Sequence, residues 1–344
     1  MRAIVKTSPG PGNVELIDFP DPDPTPQQVK LEISQCGICG TDLHVLHDTF
    51  RNYPPVILGH EFVGRVVEEG RDITNRIDRS ARYAVLGATA VTCGHCQYCR
   101  SGEFMFCPER RGMGHGVNGA FARYACVRPD QLFRLDDALA DEEGALVEPL
   151  AAAVHAVTER TEVNPGDIVL ISGPGPIGLL CLQVLVHLGI RTIVAGTTPD
   201  ARRLQLAREL GAIRTVDVQQ ENLAEVLRDA TAGKGVDVAF EVSGAANSAR
   251  ACLDVLGPFG RYTQVGHFGR DITVPFDHIA FRQLRVTGSV GYTARTWEHT
   301  MKLLSAGLRP SQIVTHRLPL SRWREGFDLF ERKEALKVLL NPLA

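Results

Sequence analysis

Four cysteines in one short segment are close enough in sequence to bind a single metal ion. The segment CGHCQYCRSGEFMFC has the pattern C-x2-C-x2-C-x7-C, which is formed by Cys93, Cys96, Cys99 and Cys107. Four thiolates can enclose one tetrahedral Zn²⁺ and leave no coordination position open. The pattern predicts a structural zinc lobe at residues 90–110, in which His95 is surplus and no chemistry takes place. The alternative is four reduced thiols packed in a protein core.

A second group of zinc-type residues is spread along the chain. The motif CGICGTDLH contains Cys39, LGHE contains His60 and Glu61, and VEPL contains Glu148. One thiolate, one imidazole and a carboxylate suit Zn²⁺ and can leave a position open for water or substrate. Each of these residues alone is more often structural, so their spacing supports a catalytic zinc site only as a hypothesis.

A glycine motif further along the chain is typical of a loop that binds a dinucleotide. In SGPGPIG, the glycines of G-x-G-x-x-G are Gly173, Gly175 and Gly178, and they follow the apolar run IVLIS. The first glycine permits a tight turn, the second lets a pyrophosphate approach the backbone, and the third lets helix and strand pack closely. Pro176 and Ile177 would begin the helix whose N-terminus binds the pyrophosphate. An ordinary tight turn is the alternative.

The residues after the next strand bear on the choice between NAD and NADP. In VAGTTPDARR, Gly196, Thr197 and Thr198 occupy the place where an NAD-specific site has an acidic residue. Without that carboxylate a 2′-phosphate is not repelled, and Arg202 and Arg203 could pair with it. We therefore expect NADP to be used at least as well as NAD. The alternative is that the threonines bind the ribose 2′-hydroxyl and the arginines lie in solvent.

The elements that must position these residues are of two kinds. Up to about residue 150, short β-type runs such as RAIVKT, QVKLEI and FVGRVVEEG are separated by clusters of proline and glycine. From Pro165 onward strands alternate with helices, which predicts an α/β fold with a doubly wound parallel sheet. Ser243 and Val265 lie at the ends of two such strands, VDVAFEVS and GRYTQVG, and are expected to contact the cofactor. The expected domains are a zinc-binding domain at 1–150, a nucleotide-binding domain at 151–283, and a return to the first domain at 284–344.

Composition and charge exclude several classes of protein. The 344 residues are 44% apolar and 22% charged, which is typical of a globular chain with two domains. The net charge of −3 gives no case for nucleic acid or an anionic membrane as partner. The uncharged stretch 168–190 is broken by glycine and proline, which favours strand, turn and helix over a membrane span. With no visible secretory signal, nine cysteines favour metal binding over disulfides, and we expect a cytoplasmic protein.

Together these motifs resemble the zinc-dependent medium-chain dehydrogenase/reductase (alcohol dehydrogenase) family. CGICGTDLH, LGHE, the four-cysteine lobe, VEPL, GPGPIG and ALKVLLNP occur in the family's order over essentially the whole chain. The most similar branch is that of the polyol (sorbitol/iditol-type) and threonine dehydrogenases. The resemblance implies a β-rich GroES-like catalytic domain and a Rossmann domain. It also implies one catalytic and one structural Zn²⁺, NAD(P) as cofactor, and a homodimer or homotetramer.

The resemblance further implies roles for individual residues. The implied ligands of the catalytic zinc are Cys39, His60, Glu61 and Glu148. Which of the two glutamates contacts zinc at rest stays open. The implied chemistry is Lewis-acid activation of a secondary alcohol, expected to be a polyol or sugar alcohol, and hydride transfer to the nicotinamide to give a ketone. Thr41 would take the hydroxyl proton, which would pass through the nicotinamide ribose to His44 and solvent.

Three other interpretations are compatible with the same motifs. The chain could be a threonine-type amino-alcohol dehydrogenase of the same family. It could be a sensor that binds zinc and a nucleotide without turnover, although Thr41, His44 and Glu148 argue against this. It could also belong to the zinc-free quinone-reductase branch, which two complete sets of zinc residues disfavour.

Overall fold

The computed structural model of the protein describes residues 1–74 and 77–344, and the chain divides into two units. Met1–Glu148 and Thr293–Ala344 form the first unit, and Pro149–Tyr292 form the second. The first unit therefore contains both groups of predicted zinc residues, and the second contains the glycine motif.

β-Strands dominate the first 148 residues, where short runs are bounded by proline and glycine. The strands are β1 (Arg2–Lys6), β2 (Val14–Asp18), β3 (Val29–Gly37), β4 (Val56–Ile57), β5 (Glu61–Glu69), β6 (Tyr83–Val85), β7 (Tyr124–Val127) and β8 (Leu132–Arg134). The helices are α1 (Gly40–Leu46), α2 (Gln97–Arg100) and α3 (Asp141–Ala145). β3 pairs antiparallel with β5, with Gly37 opposite Glu61. This register brings the end of β3, from which α1 follows, next to the start of β5.

The second unit is built on a parallel sheet of six strands. The strands are β9 (Ile168–Ser172), β10 (Arg191–Gly196), β11 (Arg214–Asp217), β12 (Val236–Glu241), β13 (Leu256–Gln264) and β14 (Arg285–Gly288). The α-helices between residues 147 and 282 are α4 (Val147–Val154), α5 (Pro176–His187), α6 (Ala201–Glu209), α7 (Leu223–Ala230), α8 (Ala246–Val255) and α9 (Phe276–Arg282). The strand order β11-β10-β9-β12-β13-β14 is that of a doubly wound dinucleotide-binding fold. All five residues of β9 are buried, as expected of a strand covered on both faces.

The boundaries between the units fall at 148/149 and 292/293, whereas the sequence led us to expect 150/151 and 283/284. The second difference has a physical cause, because β14 pairs in parallel with β13 from Arg261↔Arg285 to Gln264↔Gly288. Residues 284–292 therefore follow the parallel sheet.

The C-terminal segment packs with the first 148 residues. Its elements are α10 (Ala294–Ser305), β15 (Val314–Pro319), α11 (Trp323–Glu331) and β16 (Lys337–Asn341). β16 pairs antiparallel with β3, with Leu339 opposite Gly37, and it joins a seven-stranded sheet. On α11, Phe327 contacts the rings of Phe121 and Trp323, with centroids 6.2 and 5.1 Å apart. Lys337 thereby comes to lie beside β3.

The prediction of an α/β fold with a β-rich domain and a parallel Rossmann-type sheet is confirmed. Within the described ranges, no helix combines the length and the apolar character that crossing a membrane would require.

Candidate active site and zinc sites

The four clustered cysteines converge in space. The Sγ atoms of Cys93, Cys96, Cys99 and Cys107 all lie within 4.8 Å of one another. Cys93 Sγ and Cys99 Sγ are 3.9 Å apart, close to the separation of about 3.8 Å that a tetrahedron with 2.3 Å Zn–S bonds requires. Backbone N–H groups point at these sulfurs, and hydrogen bonds from Cys96 and His95 lower the pKa of Cys93 to about 6. The cluster fits a closed zinc site.

The dispersed group also converges, at the place where β3, α1 and β5 meet. One ligand atom each of Cys39, His60 and Glu61 lies within 4.8 Å of the other two. Cys39 is the N-cap residue of α1, and its Sγ accepts a hydrogen bond from Thr41 N at 3.5 Å. Glu61 begins β5, and His60 directly precedes it. Three residue types that suit Zn²⁺ are thus held by the ends of regular elements.

Asp42 ties the parts of this group together, although we assigned it no role from the sequence. It is 1% exposed. Its carboxylate accepts hydrogen bonds from Cys39 N at 2.9 Å and Gly59 N at 3.3 Å, and Oδ1 lies 3.7 Å from His60 Nδ1. A carboxylate that orients a metal-binding histidine in this way is common in zinc sites. The signal was its place three residues after Cys39, as the last member of a capping box.

The electrostatics of the group favour a cation. Burial alone would lower the pKa of His60, but the negative charges of Asp42, Cys39 and Glu148 outweigh it and raise that pKa well above its ordinary value. His60 Nδ1 is buried and has no hydrogen-bond partner in the part of the chain that the structure describes. One thiolate, one imidazole and nearby carboxylates are a donor set that Zn²⁺ satisfies, so the residues fit the metal.

Lys337 is a further component that sequence reasoning missed. Its Nζ donates hydrogen bonds to Glu61 Oε2 at 2.7 Å, Glu61 Oε1 at 2.9 Å and Ile38 O at 3.0 Å. The two side chains are only 2% and 1% exposed. Burial alone would lower the pKa of Lys337, but the charges of Glu61, Cys39 and Glu148 and the hydrogen bond to Glu61 together outweigh burial and raise it. A side chain at Gly37 would collide with the Glu61 carboxylate, so glycine is needed there. The signal was a lysine within the apolar run ALKVLLNP.

Glu148 lies outside the group of three ligand atoms. It is the second residue of α4. Its negative charge acts on both His60 and Lys337, raising the pKa of each. The two glutamates thus differ, because Glu61 has both carboxylate oxygens bound to Lys337.

The two predicted relay residues lie on α1 next to the metal group. Thr41 Oγ1 is 3.7 Å from Cys39 Sγ. His44 is three residues further along the same helix, so both project from one face. The His44 side chain is exposed, and its Nδ1 is 2.9 Å from Thr49 Oγ1. The helix therefore leads from the metal group toward solvent.

The glycine motif forms the turn between β9 and α5. Gly173 has φ +114°, and a Cβ there would lie 2.7 Å from Ser243 N. A Cβ at Gly178 would collide with Gly173 O, whereas the space beside Gly175 is open. Pro176 is the first residue of the twelve-residue α5, and Ile177 follows it half-buried. The open space at the helix N-terminus fits the pyrophosphate of a dinucleotide.

The other predicted cofactor residues lie at the carboxyl ends of neighbouring strands. Ser243 follows β12, and its N–H donates to Glu241 Oε1 at 3.0 Å. Val265 follows β13, and its N–H donates to Glu241 O at 2.8 Å. In parallel sheets of this type, ligands bind outside these strand ends.

Two carboxylates, Asp200 and Asp217, lie at the turn after β10, and of these the local sequence contains only Asp200. Thr197 Oγ1 donates to Asp200 Oδ2 at 2.7 Å, and Thr198 Oγ1 donates to Asp217 Oδ2, also at 2.7 Å. Asp217 ends β11 and is opposite Gly196 in the sheet, so it comes from another strand. Arg203 NH1 lies 3.5 Å from Asp200 Oδ1. Arg202 is exposed.

Comparison with known proteins identifies the family. Residues 25–137 match the alcohol dehydrogenase GroES-like domain, and residues 176–306 match the zinc-binding dehydrogenase family. The chain is 36% identical to a sorbitol dehydrogenase from Halalkalibacterium halodurans, covering 100% of both chains. It is 35% identical to a D-arabitol-phosphate dehydrogenase from Enterococcus avium, covering 99% of this chain and 98% of that one.

The solved structures agree. A Sinorhizobium meliloti protein described as a zinc-binding dehydrogenase and bound to NADP superposes with a TM-score of 0.90 at 30% identity, covering 99% of each chain. The chain therefore belongs to the zinc-dependent medium-chain dehydrogenase family, as its motifs predicted. It is an alcohol dehydrogenase in the broad sense, a zinc-dependent oxidoreductase that uses NAD(P).

Proposed function

We propose that the protein interconverts a secondary alcohol of the polyol class and the corresponding ketone. The observation that carries this proposal is the convergence of Cys39, His60 and Glu61 beside Thr41 on α1. The relatives named for sorbitol and for arabitol phosphate support a substrate with several hydroxyl groups. Thr41 and His44 argue for turnover over a sensor that only binds its ligands.

The proposed ligands of the catalytic zinc are Cys39, His60 and Glu148. Glu61 is not a ligand at rest in this proposal, because Lys337 binds its carboxylate. The support is the ion pair itself, since a carboxylate with both oxygens bound to an ammonium group must give up those bonds to coordinate a metal. Asp42, whose Oδ1 lies 3.7 Å from His60 Nδ1, is proposed to attract the imidazole by charge rather than through a hydrogen bond. The cluster of Cys93, Cys96, Cys99 and Cys107 is proposed to hold a second, structural zinc.

When bound, zinc polarises the substrate hydroxyl and lowers its pKa, and the nicotinamide takes up the hydride. The protein's own part is to move the proton. Thr41 accepts the hydroxyl proton close to the metal group. His44, exposed on the same helix face and beside Thr49, delivers it to solvent. An imidazole suits this last step because one ring nitrogen can accept a proton while the other donates one.

On the cofactor, the proposal is that NADP⁺ is used at least as well as NAD⁺. Gly173, Gly175 and Gly178 would receive the pyrophosphate, Ser243 and Val265 would contact the nicotinamide half, and Arg202 would pair with the 2′-phosphate. In support, Gly196, Thr197 and Thr198 include no acidic residue, and Arg202 is exposed near the start of α6. A homodimer or homotetramer is proposed from family resemblance. A cytoplasmic location is proposed because a thiolate zinc site needs a reducing compartment.

The test is a substrate panel with the zinc-loaded enzyme. Simple secondary alcohols, pentitols, hexitols, polyol phosphates and L-threonine are each offered with NAD⁺ and with NADP⁺, and the reduced nicotinamide is followed by absorbance. Turnover of polyols is the expected result. Turnover of L-threonine in preference to polyols would replace the polyol assignment, and no turnover with any alcohol would support the sensor.

Two variants keep the test specific to the relay. Thr41→Ala should lower the turnover rate far more than the zinc content, while Thr41→Ser, which keeps the hydroxyl, should retain most activity. Loss of zinc in the alanine variant would instead mean that Thr41 acts through the metal ligands.

A further inference from the structure

Three arginines line a cavity in the zinc-binding unit. The cavity has a volume of about 370 Å³, and its lining includes Arg51, Arg110 and Arg111 together with the single carboxylate of Glu109. This volume is of the order of small-ligand sites, about 300–1,000 Å³. Three guanidinium groups against one carboxylate give the lining a formal charge of +2. A cavity of this charge favours an anion.

The same three arginines also line a smaller cavity, of about 80 Å³, together with Phe50, Tyr53 and His115. Phe50 follows Thr49, whose Oγ1 is 2.9 Å from His44 Nδ1. The ring of Phe50 meets that of His115 edge-on, with centroids 5.1 Å apart. One wall of this arginine-lined region is therefore continuous with the proposed proton relay.

The opposite wall is continuous with the metal group. Gly114, the residue before His115, packs against Gly59, the residue before His60, so closely that a Cβ at 114 would lie 3.0 Å from the Gly59 backbone. Tyr53 N donates to His115 O at 3.0 Å, and this hydrogen bond connects the segment that contains Arg51 to the segment that contains Arg111. The segment 114–115 therefore connects the arginine-lined cavity, to which His115 belongs, with the backbone next to His60.

The ring of Tyr53 packs against two of the arginines that line the cavity, and its hydroxyl group is available to donate a hydrogen bond. Arg111 and Arg51 lie over its ring at 4.3 and 5.0 Å from the centroid. In the described ranges of the chain, neither arginine forms an ion pair, and the buried Tyr53 Oη has no hydrogen-bond partner. A buried hydroxyl without a partner is uncommon in folded proteins. The guanidinium groups and the hydroxyl together offer donors suited to an oxyanion.

We propose that this arginine-lined region binds an anionic group of the substrate, so that the alcohol oxidised is a polyol bearing a phosphate monoester or a carboxylate. The inference rests on the proposed function and specifies its substrate class. Arg51 and Arg111 are specificity-determining residues in this assignment, and Tyr53 is a positioning residue that also donates to the anion. The hydroxyl of the reacting carbon lies at the zinc group and the anion lies among the arginines.

The first experiment compares substrates that share a carbon skeleton. The zinc-loaded enzyme is offered sorbitol, sorbitol 6-phosphate and gluconate with each nicotinamide cofactor, and kcat/KM is measured. At least one anionic compound should exceed sorbitol by about tenfold to a hundredfold, the range expected for hydrogen bonds to a charged group. The phosphate and carboxylate arms identify which anion is preferred. Sorbitol as the best substrate of the three would overturn the inference while leaving the proposed function intact.

The second experiment measures binding and needs no turnover. Thermal stabilisation by inorganic phosphate is recorded with the nucleotide site saturated with NADPH, for the parent enzyme, Arg51→Gln/Arg111→Gln and the control Arg71→Gln, whose side chain is 84% exposed. Stabilisation should be present in parent and control and lost in the double variant. Equal stabilisation of all three, or of none, would overturn the inference. Absence of turnover with every alcohol would instead contradict the proposed function.

Discussion

Replacing Lys337 by methionine should destabilise the unit formed by Met1–Glu148 and Thr293–Ala344. The substitution keeps most of the apolar side chain but removes Nζ and its three hydrogen bonds, two to Glu61 and one to Ile38 O. Because Glu61 is only 1% exposed, its charge is left buried without its ammonium partner. Removing one member of a buried ion pair typically costs about 3–5 kcal/mol.

The expected shift in unfolding temperature follows from the size of the unit. Met1–Glu148 and Thr293–Ala344 amount to about 200 residues, for which 1 kcal/mol corresponds to about 2–4 °C. The variant should therefore unfold roughly 6–20 °C lower than the parent. Tryptophan fluorescence is a suitable probe, because both tryptophans, Trp297 and Trp323, belong to this unit. The measurement is made after mild chelation has removed the accessible zinc, so that the metal does not bind the freed carboxylate.

Two further variants determine whether the charge is responsible. Lys337→Met combined with Glu61→Gln removes both charges and should recover at least half of the lost stability. Lys30→Met is the matched control, since Lys30 lies 3.7 Å from a Glu68 that is 53% exposed, and an exposed pair contributes less than about 1 kcal/mol. The reasoning is refuted if Lys337→Met changes stability no more than Lys30→Met, or if the double variant is as unstable as the single one.

Four other outcomes are expected. Metal analysis of the purified protein should give two zinc ions, and mild chelation should abolish activity before unfolding; one zinc or none in active enzyme would contradict this. Cys99→Ser should lower thermal stability because structural zinc contributes folding free energy, and an unchanged melting temperature would argue against the structural lobe. His44→Ala should lower the turnover rate less than Thr41→Ala and should alter the pH–rate profile, whereas identical profiles would remove His44 from the relay. Thr198→Asp should shift preference toward NAD⁺, and a parent enzyme that already favours NAD⁺ by tenfold in kcat/KM would contradict the NADP⁺ expectation.

The fold was accessible from sequence because its signals are local. Strand IVLIS, the glycine turn and the following apolar helix are contiguous, so periodicity and glycine spacing predict β9 and α5 directly. The four cysteines are likewise close in sequence. By contrast, neither β11 nor α7 was predicted. β11 has only four residues, and the eight-residue α7 begins six residues after β11 ends. A strand of that length has too few residues to establish a period.

The parts of the site that sequence reasoning missed depend on contacts between distant segments. Lys337 and Glu61 are 276 residues apart and meet only because β16 and β5 both pair with β3. Asp217 reaches Thr198 because β11 lies beside β10 in the sheet. A lysine in an apolar run can be noticed in the sequence, but neither local sequence identifies the partner residue on the distant strand. Asp217 thus lies beside Thr198 through the strand pairing, although it is nineteen residues further along the chain.

The position of the arginine-lined region suggests how one scaffold can serve different alcohols. Cys39 caps α1 and Glu61 begins β5, so the metal group depends on the ends of regular elements. Arg51 and Tyr53 lie in the segment that connects those elements, where changes disturb the fold least. Substitutions in this segment can therefore alter which group of a substrate is bound while the metal ligands keep their geometry. On this argument, substrate class is determined by two connecting segments, one between α1 and β5 that contains Arg51 and one between α2 and β7 that contains Arg111, while the ends of α1 and β5 determine the chemistry.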